Sequence, residues 1–244
     1  MCILIVLRRF HDGHPIVVAG NRDERTDRPA APPGLWVGAH HRVLSPRDRR
    51  AGGTWLAVDD RGWFAGVTNI AGHPPVAGAP SRGHLPHVAL DQQDLDAAVA
   101  AVSARVREHA HSAFQLVLCD RERTIVVRHA AGRIEVVDWA PPVLAVTNEH
   151  GPGALALRGL EMALAPSLDV GRRLDLLGQL MRDPGGEGHH VVCKRGEGYG
   201  TVSSSLVAIP AHDPRQLVWR YAAGPPDVTA FRNYGNLGRR LLPD

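Results

Sequence analysis

Apolar and polar positions divide the chain into alternating strand-like and helix-like blocks. Cys2 is followed by the apolar, β-branched run Ile3-Leu4-Ile5-Val6, which reads as a buried strand ending near Arg9. The Asp12-Gly13 turn signal then returns residues 15–19 antiparallel to it. Two strands of this length joined by a tight turn bring Gly20-Asn21-Arg22-Asp23-Glu24 back to the level of Cys2. Residues 29–33 read as irregular and proline-rich. Val43-Leu44 and residues 50–58 lead into further strands, Asp59-Asp60-Arg61-Gly62 makes a turn, and residues 63–69 return from it.

After Pro80 the apolar period changes from two to about 3.6. Leu85, Val88 and Ala89 predict a short helix, and Leu95, Ala98, Val99, Val102 and Val106 a second that ends at residues 109–111. Strands are predicted over 114–119, 124–128, 133–137 and 143–147, a second helical layer over 154–162 and 171–181, and a loop over 184–188. Strands over 189–193, 201–210 and 216–221 follow, then a tail over 225–244. Strands then helices, twice over, with hairpin connections, predict an α+β fold: a four-layer αββα sandwich of antiparallel sheets, forming one domain over 1–244.

The composition narrows the function classes. With 244 residues and 44% hydrophobic positions the chain can bury a large core. A formal net charge of +3 comes from 28 basic and 25 acidic residues that are interspersed, and a single lysine (Lys194) stands among the basic ones, so no nucleic-acid footprint is expected. Three scattered cysteines, Cys2, Cys119 and Cys193, argue against a disulfide framework and against a four-ligand zinc site. No metal or other cofactor is therefore expected, and a reducing, cytoplasmic location suits the thiols. The apolar start is too short for a membrane span or signal peptide. Oligomeric state is not legible.

Candidate chemistry gathers at the start of the chain. If the initiator methionine is trimmed, Cys2 carries a thiol nucleophile and a free α-amine of ordinary pKa about 7.7 to 8.0 as its base. Otherwise it is a small apolar residue opening a strand. The charged stretch beside it is either a site or a solvated loop. Asn69, at a strand tip after Thr68, is an oxyanion donor or a turn residue; Asn148, after Thr147, repeats the arrangement. His11, His14, His40 and His41 are alternative bases.

These segments carry a resemblance. Met1-Cys2-Ile3-Leu4-Ile5, Gly20-Asn21-Arg22-Asp23-Glu24 with Arg28-Pro29, Gly52-Gly53-Thr54-Trp55-Leu56, Val67-Thr68-Asn69, Val146-Thr147-Asn148 and Tyr199-Gly200-Thr201 with Ser203-Ser204 resemble the NRDE-motif family. That family is also called the transport and Golgi organisation protein 2 family. The resemblance implies an N-terminal-nucleophile (Ntn) hydrolase-like fold with Cys2 in the nucleophile's place. It is similar, more distantly, to cysteine Ntn hydrolases that cleave penicillin V and conjugated bile salts. It implies that Asn21 and Asp23 match an Asn-x-Asp segment, that Asn69 holds the oxyanion and that Asn148 contacts the reacting amide. Two positions depart from the pattern: Gly20 stands where those hydrolases have arginine, and Val202 where the Tyr-Gly-Thr-x-Ser-Ser motif has arginine.

The expected catalytic set is Cys2, Asn21, Arg22, Asp23, Asn69 and Asn148, with Glu24, Thr68, Thr147 and Ser203 binding substrate. Asp23 would orient the α-ammonium, and Arg22 would depress the Cys2 thiol below its usual value of about 8.5. Cys119 and Cys193 are expected in strands, away from the cleft, with raised pKa values. The expected ligand is a small-molecule amide or thioester. The alternative is a non-catalytic carrier of haem or a lipid or acyl-coenzyme A ligand, since the family is linked to haem trafficking and lipid handling.

Overall fold

The run after Cys2 forms β1 (Ile3–Arg8), buried at every position because both of its faces are covered. Leu4 and Val6 point into a core shared with the opposite sheet, while Ile3, Ile5 and Leu7 point into a second core under helices. A continuous apolar run, not an alternating one, is what such a strand requires. The computed structural model describes residues 2–153, 155, 157–186 and 190–243.

β1 pairs antiparallel with β2 (Ile16–Arg25), Ile3 lying opposite Asn21 and Arg8 opposite Ile16. On its other side Ile3 lies opposite Thr147 of β10 (Val143–Thr147). β2 also pairs with β11 (Tyr199–Ile209), and β12 (Val218–Ala222) and β13 (Arg232–Asn233) complete a six-stranded sheet. The second sheet is a meander of seven strands in chain order: β3 (Ala30–Val37), β4 (Arg42–Asp48), β5 (Leu56–Asp59), β6 (Phe64–Asn69), β7 (Phe114–Cys119), β8 (Thr124–Ala130) and β9 (Arg133–Asp138).

Three cores separate four layers. Leu4, Val18, Phe64, Val117 and Trp219 fill the space between the sheets. The helices α1 (Leu85–Leu90) and α2 (Leu95–Glu108) cover the seven-stranded sheet through Leu85, Leu90, Ala98 and Val102. The helices α3 (Leu160–Ala163) and α4 (Val170–Leu180) cover the other through Ala163, Leu174, Leu177 and Leu180. The expected αββα sandwich is the observed one.

Four local expectations change. The charged tetrapeptide is not a loop: β2 runs through it to Arg25, with Arg22 and Asp23 buried. Of residues 29–33, expected to be irregular, all but Pro29 belong to the edge strand β3, where proline's missing N–H leaves no ladder bond unmade, and the register shifts between Ala31 and Gly34. The helix expected over 154–162 is observed only from Leu160, after Gly159 at φ 79°; Ala154 and Ala156 lie outside the described residues. Of the strand expected over 189–193, His189 lies outside the described residues, and the remainder is a non-strand strap whose Val192 and Cys193 N–H groups both donate to the Asp183 carbonyl, at 3.1 and 2.7 Å. Glu187 and Gly188 of the expected loop are likewise outside them. The tail is docked, with β13 on β12 and Leu241 of a 3-10 helix (Gly235–Leu241) buried in the inter-sheet core.

Arg173 on α4 is fully buried, and its guanidinium donates to the carbonyls of Ala163, Phe10 and Ala165, the last two at 3.0 and 3.1 Å. It thereby satisfies carbonyls at the end of α3 that no helix bond reaches. Arg173→Met, which keeps bulk and removes the donors, should lower unfolding free energy by about 2 to 4 kcal/mol. Urea denaturation monitors it, and an unchanged midpoint would contradict this role.

Candidate active site

The β1–β2 register sets Cys2 beside the end of β2, where the Cys2 thiol lies 3.5 Å from the Asp23 carbonyl oxygen, as donor to it. The Cys2 carbonyl accepts the Asn148 N–H at 3.2 Å, and the Asn148 carbonyl accepts the Ala71 N–H at 2.7 Å. Two backbone bonds thus chain the start of β1, the tip of β10 and the turn after β6 together.

The facing wall comes from two loops joined backbone to backbone. Thr54 N–H donates to the Gly83 carbonyl at 2.8 Å. A Cβ on Gly83 would lie 2.8 Å from the Thr54 carbonyl oxygen, and one on Gly53 would collide with the Gly83 backbone, so both positions require glycine. This contact presents Trp55 on one side and Ser81 and Arg82 on the other. Between the walls is a cleft of about 270 Å³.

Cys2, Arg22, Asp23, Glu24, Thr68 and Asn69 all line this cleft. The other expected residues do not. Asn21 is turned to the helix side, where its Nδ2 donates to the carbonyls of Met181 and Val192, both at 2.9 Å. Asn148 touches Cys2 through backbone, and its buried side-chain Oδ1 has no hydrogen-bond partner among the described residues. The Thr147 hydroxyl closes its own turn by accepting the N–H groups of Glu149 and His150. Ser203 is buried opposite Arg22 in β11. None of His11, His14, His40 and His41 lines the cleft.

The expected site set named neither Asp48 nor Arg82, and Arg28, Thr54, Trp55, Val67 and Tyr199, which also line the cleft, stood only in the segments that carry the family resemblance. Asp48 was hidden in the Arg47-Asp48-Arg49-Arg50 charge block.

Asp48 organises the cations. Its Oδ2 accepts Arg22 Nη2 at 2.8 Å and Arg28 Nε at 2.7 Å, and its Oδ1 accepts the N–H groups of Arg50 and Ala51. Burial pushes the Asp48 carboxyl up, but those N–H groups with Arg28 and Arg22 outweigh it and hold it below the usual carboxylate range. Arg22 also stacks its guanidinium 4.4 Å from the Trp55 ring centre. Asp23 accepts the Thr201 hydroxyl at 2.7 Å, and the Tyr199 hydroxyl donates to its carbonyl at 3.2 Å. Burial raises Asp23, against opposing pulls that include Thr201 and Lys194.

The Cys2 thiol is not depressed as expected. Burial first, then the Asp23 charge, push it up to about 11, and Arg22, already committed to Asp48, lowers it less than these raise it. Cys119 is pushed up to about 12 and Cys193 to about 11, both chiefly by burial, so all three thiols are protonated at neutral pH. Cys119 lies in β7 as expected; Cys193 lies in the strap, its Sγ 3.4 Å from Asp227.

Among the described residues one set of potential metal ligands converges, His41, Asp59 and Asp60. Its carboxylates are engaged by Arg61, by His41 and by the N–H groups of Trp63 and Arg42.

The family model described as Transport and Golgi organisation 2 matches residues 1–153. The chain belongs to the Transport and Golgi organisation 2 family. It is 27% identical over 234 residues to the Transport and Golgi organization protein 2 homolog of Bos taurus, covering 82% of this chain and 84% of that protein. The Homo sapiens homolog is 25% identical over 233 residues, with the same coverage. Among solved structures, a mutant conjugated bile acid hydrolase from Clostridium perfringens superposes with a TM-score of 0.54 at 11% identity over 96% of each chain. A Caenorhabditis elegans ortholog of N-acylethanolamine-hydrolyzing acid amidase gives 0.55 at 14% identity, over 86% of this chain and 93% of that one. The fold of this family member is therefore that of the Ntn hydrolases. Among the described residues no helix is long and apolar enough to cross a membrane.

In this family member Asp48 is the shared anchor of two cleft arginines. Because its carboxyl is held low in the folded state, its stabilisation is present above the unfolded-state pKa and lost as pH falls through the folded value. Asp48→Asn should cost about 2 to 3 kcal/mol at pH 7, with the gap to wild type closing in acid. Thermal unfolding from pH 7 to pH 3 tests it, and a gap that persists in acid would contradict the ionic origin.

Proposed function

We propose that the cleft is the active site of an N-terminal-cysteine hydrolase that cleaves a non-peptide amide or thioester by acyl transfer through Cys2. The observation that carries this reading is the fixed thiol. Cys2 is held by strand pairing and by Asn148, lines a cleft, and faces Thr68 and Asn69 on the opposite sheet. The fold neighbours are named as hydrolases of a conjugated bile acid and of N-acylethanolamines, which supports amide chemistry. The charged walls favour it over carriage of haem or a lipid.

A raised thiol pKa fits a nucleophile that is neutral at rest and loses its proton only as it attacks. Once Met1 is removed, the Cys2 α-amine accepts that proton while sulfur bonds to the substrate carbonyl carbon. The Asn69 side-chain N–H steadies the oxyanion. The resulting ammonium protonates the leaving amine or thiolate as the C–N or C–S bond breaks, and water then releases the acid from Cys2. Asp23 holds the ammonium, and Asn148 acts from outside the cleft lining, fixing Cys2 through its backbone N–H. Asn21 is a positioning residue. It fixes the strap carrying Lys194, whose N–H donates to the Thr201 hydroxyl at 2.9 Å, and that hydroxyl holds Asp23.

Intact mass after mixing with a panel of amides and thioesters tests this. An acyl adduct should form on Cys2 and be absent from Cys2→Ser, and Asn69→Ala should slow its formation by about 10² to 10³. No adduct with any member of the panel, or one that survives Cys2→Ser, would overturn the reading.

The α-amine must be neutral to act, so the adduct rate should rise with pH through the amine's pKa, about 7.7 to 8.0 before the Asp23 charge raises it. Asp23→Asn should move that midpoint down. An unmoved midpoint would remove Asp23 from the proton relay.

A further inference from the structure

The cations of the cleft are not equally satisfied. Arg28 divides its fork between Asp48 and Glu24, at 2.7 and 3.4 Å. Arg22 gives Nη2 to Asp48, but its Nη1 is buried and has no hydrogen-bond partner among the described residues. Arg22 is only 5% exposed, so that N–H edge is withheld from bulk water. Arg82 has no carboxylate partner among the described residues. Among the described residues its one hydrogen bond is from Nη1 to the Ala113 carbonyl, at 2.8 Å, which anchors the side chain without an ion pair. The Thr68 hydroxyl, also buried and lining the cleft, is likewise unpartnered.

Orphaned N–H groups on a buried guanidinium are costly, and a neutral carbonyl would satisfy their geometry without balancing the charge. A carboxylate does both. We propose that Arg82, the unpaired edge of Arg22 and Thr68 form an anion subsite beside Cys2, so that the ligand is an acylated amine carrying a carboxylate close to the scissile bond, as in an N-acyl amino acid. The inference rests on the reading of this cleft as the active site. Arg82 lies within electrostatic reach of the sulfur: burial lowers its pKa, while Cys2 and Glu24 raise it. The cleft's size suits the small charged head of such a molecule, leaving an acyl tail to run outward.

Paired alkylating probes separate charge recognition from turnover. Iodoacetate and iodoacetamide react with a thiol by the same displacement, in which the S–C bond forms and iodide leaves, and they differ in carrying a carboxylate or a neutral amide. Labelling of Cys2 by each is followed by peptide mass, and the rate ratio is compared with that for free glutathione at the same pH. The ratio at Cys2 should exceed the glutathione ratio by about tenfold at low salt and shrink as salt is added. Arg82→Met should abolish the excess, slowing iodoacetate far more than iodoacetamide, and Arg82→Lys should keep part of it.

A ratio no greater than that of glutathione, one unaffected by Arg82→Met, or a Cys2 that neither reagent labels would overturn the proposal. Turnover is not needed for the readout. An anion-selective Cys2 without any acyl adduct would retain the subsite and remove the hydrolase, whereas an adduct with a flat ratio would do the reverse.

Discussion

The antiparallel pairing of β1 with β2 is the constraint on which the site depends. A residue just outside a strand is held only as firmly as that strand, and here Ile3 opposite Asn21 fixes the position of Cys2 from within the sheet. The same strand, β2, carries Arg22 and Asp23, and its other neighbour, β11, supplies Thr201 opposite Asp23. Between Thr201 and Ser203 the register shifts, leaving Val202 as the extra residue of a bulge next to Asp23 and Arg22. Bulges re-aim side chains at such places. The position that departs from the family's arginine pattern is therefore a backbone irregularity at the edge of the site.

Charge balance around Asp48 explains why a cluster of buried polar groups is tolerated. One carboxylate, held low by two guanidinium groups and two backbone N–H groups, neutralises part of the cationic wall. What remains is a guanidinium facing a protonated thiol. A preformed thiolate is thus not the resting state, and the acyl transfer proposed for Cys2 would need a base, the α-amine of the same residue, to receive its proton during attack.

Much of this was legible in the sequence, for identifiable reasons. The Asp12-Gly13 turn and the apolar runs either side of it determine the hairpin, and the change of period after Pro80 announces the helical layer. Hydropathy fails where polar residues are buried by pairing. Arg22 and Asp23 look like a solvated loop, yet they lie in a buried strand because Asp48 and Thr201 satisfy them. It fails again at β3, where prolines signal irregularity but an edge strand accepts them, and at the strap around Val192, which is buried through bonds to Asp183 and Asn21 without strand pairing. Arg82 reaches the cleft through contact between two glycines, Gly53 and Gly83, distant in sequence. No local pattern encodes that contact.

The central claim is that Cys2 supplies both nucleophile and base, which demands that its α-amine be free. The N-terminal mass of the purified full-length chain measures this directly. The account predicts a protein that begins at Cys2, lacking the mass of one methionine residue. A chain that retains Met1 quantitatively would contradict it, because the nitrogen beside the thiol would then be an amide with no basic lone pair to accept the proton.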